Sequence, residues 1–489
     1  MPLILPGNVG SATAATTYSI DNSCRFNDDD TPKLSRDFGS DGSLVACTIN
    51  VWAKLGAPPT GTKNILWTYV SGTNANLQVG GDASGSARIN FYSNRSGESP
   101  AEPELLTDTF HRDVSAWYNI HAVWDSANGT EGDRMRLYLN GTRLTDFHAT
   151  TAYPQSNGDF GLFNYSDGAR TINVSNKPYG GANHFDGYLA NIIVCDGQTY
   201  EPTKFGEFDE DSPTIWKPID PSAQSLNFGT HGFWLDFKDS SALGNDVSGN
   251  DNDMTPANLA AVDQCTDSPT NNFAVLNPLE NYFPAATFSE GNTHIVLTDA
   301  PRTFCTGTVG LTAGKWYWEQ KFVTHNTGDH ANLGVASKFP VDAGANLGEY
   351  DYTYSYDADG GKTTNNSSSS YGDSFTANDI ISVALDLDNL KIYYAKNGTW
   401  QNSGDPTTGA TGTGAAFTLT AVASTTSGAY FPAIGKSSTG VDTWQINFGN
   451  PAYTNSSDAA DADGYGAFEY APPSGYFAIC TKNLAEYGG

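Results

Sequence analysis

The feature that most constrains this chain is a recurring run of alternating apolar and polar side chains, interrupted every few residues by Gly, Asn and Asp. Thr48-Ile49-Asn50-Val51-Trp52-Ala53-Lys54 is one such run, and Trp117-Tyr118-Asn119-Ile120-His121-Ala122-Val123-Trp124-Asp125 is another. A period of two puts one set of side chains on a buried face and the other set on the opposite face, which is the signature of a strand and not of a helix. Two runs double back on themselves. Residues 135–139 and 142–144 flank Asn140-Gly141, and residues 391–396 and 399–400 flank Asn397-Gly398. Asn-Gly supplies the two positive-φ positions of a tight type I′ hairpin turn. Composition agrees: charged residues make up 16% of the chain and there are only three Met, while Thr, Tyr, Phe, Val and Ile suit pleated sheets. The expected fold is all-β. At 489 residues the chain exceeds what one core normally organises, so two antiparallel, jelly-roll-like β-sandwiches in tandem are expected, joined by an ordered connector.

The charge balance narrows the partners. Lys+Arg number 25 against 54 Asp+Glu, a net charge of −29. That field repels phosphate backbones and anionic lipid headgroups, so neither nucleic acid nor membrane insertion is expected. No run approaches the ~20 apolar residues of a membrane span. Residues 1–7, Met-Pro-Leu-Ile-Leu-Pro-Gly, lack the basic start and long apolar stretch of a signal peptide, so synthesis in a cytosol is expected. Cys24, Cys47, Cys195, Cys265, Cys305 and Cys480 are scattered without Cys-x-x-Cys pairing and are expected as buried free thiols. An extracellular style of β composition without export fits a virus particle protein, folded inside a host and exposed after lysis.

The ordered set of the Trp52 strand, the Trp117-Tyr118 strand, the Asn140-Gly141 hairpin and Phe185-Asp186-Gly187-Tyr188 resembles the laminin-G-like, or concanavalin-like, jelly rolls across residues 18–205. Farther along, Gly314-Lys315-Trp316-Tyr317-Trp318-Glu319, Leu333-Gly334-Val335-Ala336, residues 379–388, the Asn397-Gly398 hairpin, residues 430–435 and Trp444-Gln445-Ile446-Asn447-Phe448-Gly449 resemble a SPRY domain over residues 286–452. The SPRY resemblance implies a binding module that uses loops at one end, with no catalytic residues of its own. The Ser/Thr/Gly-rich stretch at 402–428 is expected as an enlarged loop. The remaining divisions are an attachment arm at 1–17, the connector at 206–285 and a tail segment at 453–489. The whole order resembles structural proteins of tailed bacteriophages. It implies a virion surface component (tail fibre, spike, head fibre or decoration) that contacts other virion proteins and host-surface carbohydrate as a homo-oligomer, by family resemblance a trimer.

Candidate chemistry is sparse. Glu207, Asp209 and Asp211 alternate, so on a strand they face one way and could serve a glycoside hydrolase acting on envelope polysaccharide. Phe208 is the one apolar residue among them, and Ser212-Pro213 ends the run, so a non-enzymatic binding protein is the preferred expectation, with no catalytic residue assigned. Asp28, Asp29 and Asp30 could ligate calcium, a cofactor that the laminin-G-like resemblance also suggests. Tyr350 and Tyr352, ahead of the core-facing Tyr354 and Tyr356, and Trp400 beyond its hairpin are the candidate binding rings, because exposed aromatics stack on sugars and anchor protein partners. The Trp residues at 52, 117, 124, 316, 318 and 444 are expected in the core, and His121 is expected to face solvent.

Overall fold

A computed structural model describes residues 18–488 except 58, 60, 71–72, 81–86, 96–99, 101, 149–151, 164–170, 178–182, 281–285, 299–302, 325–330, 341–343, 345 and 437–439. The arm expected at 1–17 lies outside the described residues. The chain divides into two compact units, one spanning Ala14–Thr270 and the other containing Asn271–Gly489. Among the described residues the structure is nearly all β, with one short α-helix at Thr481–Tyr487, as the alternating runs require.

In the first unit an eight-stranded sheet runs in the order Thr142–Arg143, Met135–Leu139, Tyr118–Asp125, Ala46–Leu55, Gly187–Asp196, Ser23–Phe26, Gln264–Cys265, with Phe233–Leu235 also paired to Gly187–Asp196. A seven-stranded sheet runs Thr255–Ala257, Lys33–Asp37, Thr171–Val174, Lys63–Val70, Thr73–Val79, Ile89–Asn94, Glu104–Leu106. All these pairings are antiparallel. Ile49, Val51, Ile120, Ala122 and Trp124 of the first sheet pack with Ala75, Leu77, Val79, Ile89 and Phe91 of the second in one apolar core. The Asn140-Gly141 turn adopts φ values of 46° and 72°, as a type I′ hairpin demands.

The ordered connector expected at 206–285 is drawn into the two units: Phe233–Leu235, Thr255–Ala257 and Gln264–Cys265 each extend a sheet of the first unit, and residues 271–280 belong to the second. The reason lies on the outer face of the eight-stranded sheet. Trp52, Trp117 and Tyr188 point away from the core, and Trp216 covers them in a second apolar cluster. The Trp216 indole donates to Asn119 Oδ1 at 3.1 Å and lies so close to the hairpin turn that a Cβ on Gly141 would come within 2.2 Å of it. His121 faces the same way and is buried, bonded through Nε2 to the Tyr200 carbonyl at 3.0 Å and packed against Tyr138 and Phe205. The alternation correctly puts it off the core face, but that face is covered and does not meet solvent.

The second unit repeats the plan. A nine-stranded sheet contains Ala286–Ser289, His294–Leu297, Asp442–Asn447, Lys315–Thr324, Ile380–Asp386, Lys391–Lys396 and Thr399–Trp400 in that order, with Phe417–Thr418 and Phe477–Ala478 added at the side. A six-stranded sheet runs Thr303–Thr306, Phe431–Lys436, Ala331–Ala336, Thr353–Asp357, Gly361–Thr364, Ser367–Ser370. Trp316, Trp318 and Trp444 are fully buried between them. The segment expected as a tail at 453–489 is integral to this unit: Phe477–Ala478 pairs in parallel with Lys315–Thr324, and Ile479 and Leu484 enter the core. The Ser/Thr/Gly-rich stretch is packed, with Ala416 and Leu419 in the core and the Pro406 carbonyl accepting from Tyr476 Oη at 2.9 Å. All six cysteines are free and buried.

Residues 206–270 are fastened to the first sandwich by a buried ion pair. Lys54 Nζ meets Asp267 Oδ2 at 2.6 Å, with both side chains wholly inaccessible, and Trp117 Nε1 donates to Asp267 Oδ1 at 3.0 Å. Removing one partner of such a pair strands a charge, at a cost of about 3–5 kcal/mol. Asp267→Ala should therefore lower the urea midpoint of the first unit strongly, whereas substituting the exposed Asp251 should leave it unchanged.

Candidate functional site

The residues singled out from sequence do not converge. Tyr350 is half-buried on Phe304, Ala336, Leu347 and Ala433, with the Lys338 ammonium 4.8 Å from its ring centre. Tyr352 is half-buried in a turn at φ 63°. Tyr354 and Tyr356 lie in the core as expected. Trp400 packs partly against a different cluster around Tyr317 and Phe468. Asp28, Asp29 and Asp30 form a single 3-10 turn in which Asp28 is paired with Lys63 and Asp30 accepts from Asn27 Nδ2 at 2.9 Å. Among the described residues no three His, Cys, Asp or Glu side chains are grouped to hold a metal ion. Asp186, which sequence reasoning passed over, lies near this turn. Burial, reinforced by the charge of Asp28, pushes its carboxyl up to about 7.

The acidic run that could have served hydrolysis is a structural corner. Gly206–Phe208 pairs with Trp216–Pro218, placing Lys217 Nζ 3.4 Å from Glu207 and 3.6 Å from Asp209. Asp209 Oδ1 accepts the Asp211 and Ser212 amides at 3.0 and 2.9 Å. Glycoside hydrolysis needs two carboxyls on opposite sides of a sugar. These sit side by side on one ribbon, two of them sharing one lysine.

A different constellation emerges from the seven-stranded sheet. Its inward residues, among them Ala75, Leu77, Val79, Ile89, Phe91, Ile172 and Val174, fill the core, so by alternation the intervening residues line the opposite face. The registers Ser35–Asn173, Asn173–Trp67, Trp67–Asn76, Asn76–Tyr92 and Tyr92–Glu104 join six strands into one transverse row: Ser35, Asn173, Trp67, Asn76, Tyr92, Glu104. At ~4.8 Å between strands the row spans about 24 Å. Tyr69, Asn74 and Asn94 form a parallel row on one side, and Gln78 pairs with Asn90 on the other.

This face is polar yet largely withdrawn from solvent. Asn76, Gln78, Asn90 and Asn173 are each less than 8% exposed, and Tyr69, Asn74, Tyr92, Asn94 and Glu104 are half-buried. The amide oxygens of Asn74, Asn76, Gln78, Asn90 and Asn173 and the indole N–H of Trp67 are buried without a hydrogen-bond partner. Leaving a buried polar group unsatisfied costs about 1–3 kcal/mol, so several in one row mark a surface shaped for a hydroxyl-bearing ligand or ordered water. The Lys177 ammonium lies 5.5 Å from the Trp67 ring centre, and Asn90 Nδ2 donates to Glu104 Oε1 at 2.8 Å. Burial, with Glu102 and Glu104 nearby, pushes the Tyr92 phenol up to about 12, keeping it a neutral donor. The signal was present in Asn74-x-Asn76-x-Gln78 and Asn90-x-Tyr92-x-Asn94, an alternation of amides where solvent-facing charges are usual.

In the second unit one buried polar group, Glu319, fastens the C-terminal segment. It accepts the amides of Glu469 and Tyr470, each at 2.8 Å, and the Tyr317 hydroxyl at 2.9 Å. Burial outweighs these donors and pushes its carboxyl up to about 7.

Comparison with known proteins agrees with the two sandwiches. Residues 30–197 match the family model described as the concanavalin A-like lectin/glucanases superfamily, and residues 315–451 match the model of the SPRY domain. The chain carries a concanavalin-like domain and a SPRY domain. Domains of these kinds are carbohydrate- or protein-binding modules, generally without catalysis. Similar solved structures include the SPRY domain of human HERC1 (19% identity, covering 35% of this chain and 96% of that one, TM-score 0.28). Stonustoxin (19%, 36% and 27%, TM-score 0.27) and a heptameric SAP-like pentraxin from Limulus polyphemus (16%, 38% and 82%, TM-score 0.27) are also similar. Among curated proteins none matches.

The buried carboxyls set a pH dependence. Glu319, Glu280 and Asp186 each titrate near 7 in the folded chain because burial disfavours their anions, against about 4 when unfolded. A raised folded value means that their stabilising contribution is complete below about pH 4 and is lost as pH rises through 7. Urea midpoints should therefore fall from about pH 5.5 to about pH 8.5, with a shallower fall in Glu319→Gln. A midpoint that rises over this window contradicts the assignment.

Proposed function

We propose that this protein is a binding component of a tailed-bacteriophage virion surface, a fibre, spike or head decoration. It holds host-surface carbohydrate along the amide and aromatic face of its concanavalin-like domain. The observation that carries the glycan reading is the row Ser35, Asn173, Trp67, Asn76, Tyr92, Glu104, with its unsatisfied amide oxygens. Amides offer donors and acceptors together, matching sugar hydroxyls, and flat rings among them match the apolar faces of pyranoses. A ligand pocket works in this way, with a few placed polar groups setting orientation. The virion placement draws its support from the sequence: the two-domain order and the family resemblance. Contacts with other virion proteins and a trimeric assembly belong to the same reading. Binding, rather than glycoside hydrolysis, is its mode of action on polysaccharide, because Glu207, Asp209 and Asp211 lie side by side on one ribbon, with Lys217 beside Glu207 and Asp209, and not on opposite sides of a sugar-sized gap.

The test is calorimetric titration of the full chain with host-surface polysaccharide fragments, alongside proteomics of purified particles. Asn76→Ala and Tyr92→Ala should each weaken binding about 10-fold, or ~1.4 kcal/mol, with unchanged melting temperature. Full affinity in both stably folded variants removes the face from the proposal, and absence of the chain from purified particles removes the virion.

A further inference from the structure

Three residues far apart in sequence meet beside the end of the Gly187–Asp196 strand. Ser40 lies on the exposed turn that follows Lys33–Asp37. Its Oγ is 3.1 Å from Nε2 of His231. The other ring nitrogen, Nδ1, is 3.2 Å from Oδ2 of Asp196. The imidazole and the carboxylate are nearly inaccessible, at 4% and 5% exposure, whereas the serine is open to solvent.

The carboxylate and the imidazole are each held by further contacts. Asp196 Oδ1 accepts the Ser43 amide at 2.6 Å, and Oδ2 also accepts the His231 amide at 3.2 Å, which fixes the carboxylate plane. The strand end is pinned by the Asp196 amide donating to the Phe228 carbonyl at 2.8 Å, and Gly229 fits there only because it lacks a Cβ, which would sit 2.1 Å from the Asp196 carbonyl oxygen. The imidazole is gripped by Phe38 and Phe163, at centroid distances of 5.1 and 5.8 Å. With Nδ1–H donated to Asp196, Nε2 is left as the acceptor facing the Ser40 hydroxyl, the tautomer a general base requires. The Ser40 amide makes no hydrogen bond to another described residue, so it is available to an oxyanion.

We propose that Ser40, His231 and Asp196 form an esterase site for small acyl esters, such as O-acetyl groups, carried on a larger polar alcohol. The Ser40 hydroxyl attacks the ester carbonyl and passes its proton to His231 Nε2 as the new C–O bond forms. Collapse of the tetrahedral adduct breaks the bond to the alcohol, which leaves with that proton. Water then attacks the acyl-Ser40, giving a proton to His231, and the carboxylic acid departs as Ser40 recovers its hydrogen. Ester plus water gives acid plus alcohol, with no further reactant. Open space around Gly39, where an added Cβ meets nothing within 4 Å, leaves room for the alcohol, and the Phe38 ring, 5.1 Å from the imidazole, crowds the base and suits a small acyl group. The assignment is independent of the glycan-binding face.

The test uses the folded full chain with a fluorophosphonate probe and with p-nitrophenyl acetate. The probe should phosphonylate Ser40, read by peptide mass spectrometry. Ser40→Ala should lose both the adduct and the ester turnover, and His231→Gln should slow labelling about 100-fold, the usual contribution of a positioned base. Ester turnover undiminished in Ser40→Ala, an exposed and structurally mild change, overturns the proposal. So does a wild-type chain unlabelled at Ser40, or equally fast labelling in a folded His231→Gln.

Discussion

The pairing of Lys54 with Asp267 is the interaction on which the first unit depends, because it decides what happens to the face of the sheet that the core does not use. An alternating strand has two faces, and packing against a second sheet buries only one. Residues Trp52, Trp117 and Tyr188 make the other face of the eight-stranded sheet apolar, so it needs its own cover. Desolvating an ammonium and a carboxylate is expensive, and the expense is offset here by a 2.6 Å contact and by the indole donor of Trp117. Such a pair adds little net stability over an apolar contact but tolerates no other register, so it specifies where the chain near residue 267 must lie. Glu319 performs the converse in the second unit: the acid belongs to the sheet, and the covering segment brings the amides of residues 469 and 470 to it.

With part of the outer face of the eight-stranded sheet covered, the seven-stranded sheet is the one whose outer face offers ligand-binding groups. Its polar row differs in kind from the two locks. In the locks every strong group has a partner, whereas along Asn173, Asn76, Gln78 and Asn90 the amide oxygens are buried and unpaired. A protein tolerates several such deficits in one place when something else supplies the missing donors. The same sheet therefore combines a core face of aliphatic side chains with an outer face whose hydrogen bonding is incomplete.

Much of the architecture was legible because local chemistry and tertiary structure agreed. Asn140-Gly141 could only turn tightly, and Trp124, Trp316 and Trp444 lay on strands whose alternate residues were apolar. Legibility ended where a distant segment supplied the environment. His121 alternates as an outward residue should, and nothing in its neighbourhood announces that the chain near 200–205 will bury it. The divisions at 206 and 453 followed a loss of regular alternation, yet short strands such as Phe233–Leu235 and Phe477–Ala478 need only two or three residues once a sheet edge is waiting. Tyr350 and Tyr352 could be separated in the sequence from the core-facing Tyr354 and Tyr356, and the left-handed conformation of Tyr352 ends the alternation at that point. The Ser40–His231–Asp196 meeting joins positions 191 and 35 residues apart, and no motif frames any of them.

Charge sharpens what the amide row can hold. The chain carries a net charge of −29, and the row itself ends in Glu104 with Lys177 over Trp67 as its nearby cation. An anionic ligand would meet an unfavourable field throughout its approach, whereas a neutral, hydroxyl-rich one feels little of it and gains from neutral donors and acceptors. Neutral hydrogen bonds exchanged with water are individually modest, near 1 kcal/mol net, so affinity on such a face grows with the number of strands engaged rather than with any single contact. On the proposed glycan reading, a row crossing six strands favours an extended chain over a single sugar, and several copies acting together would multiply a weak grip into a durable one.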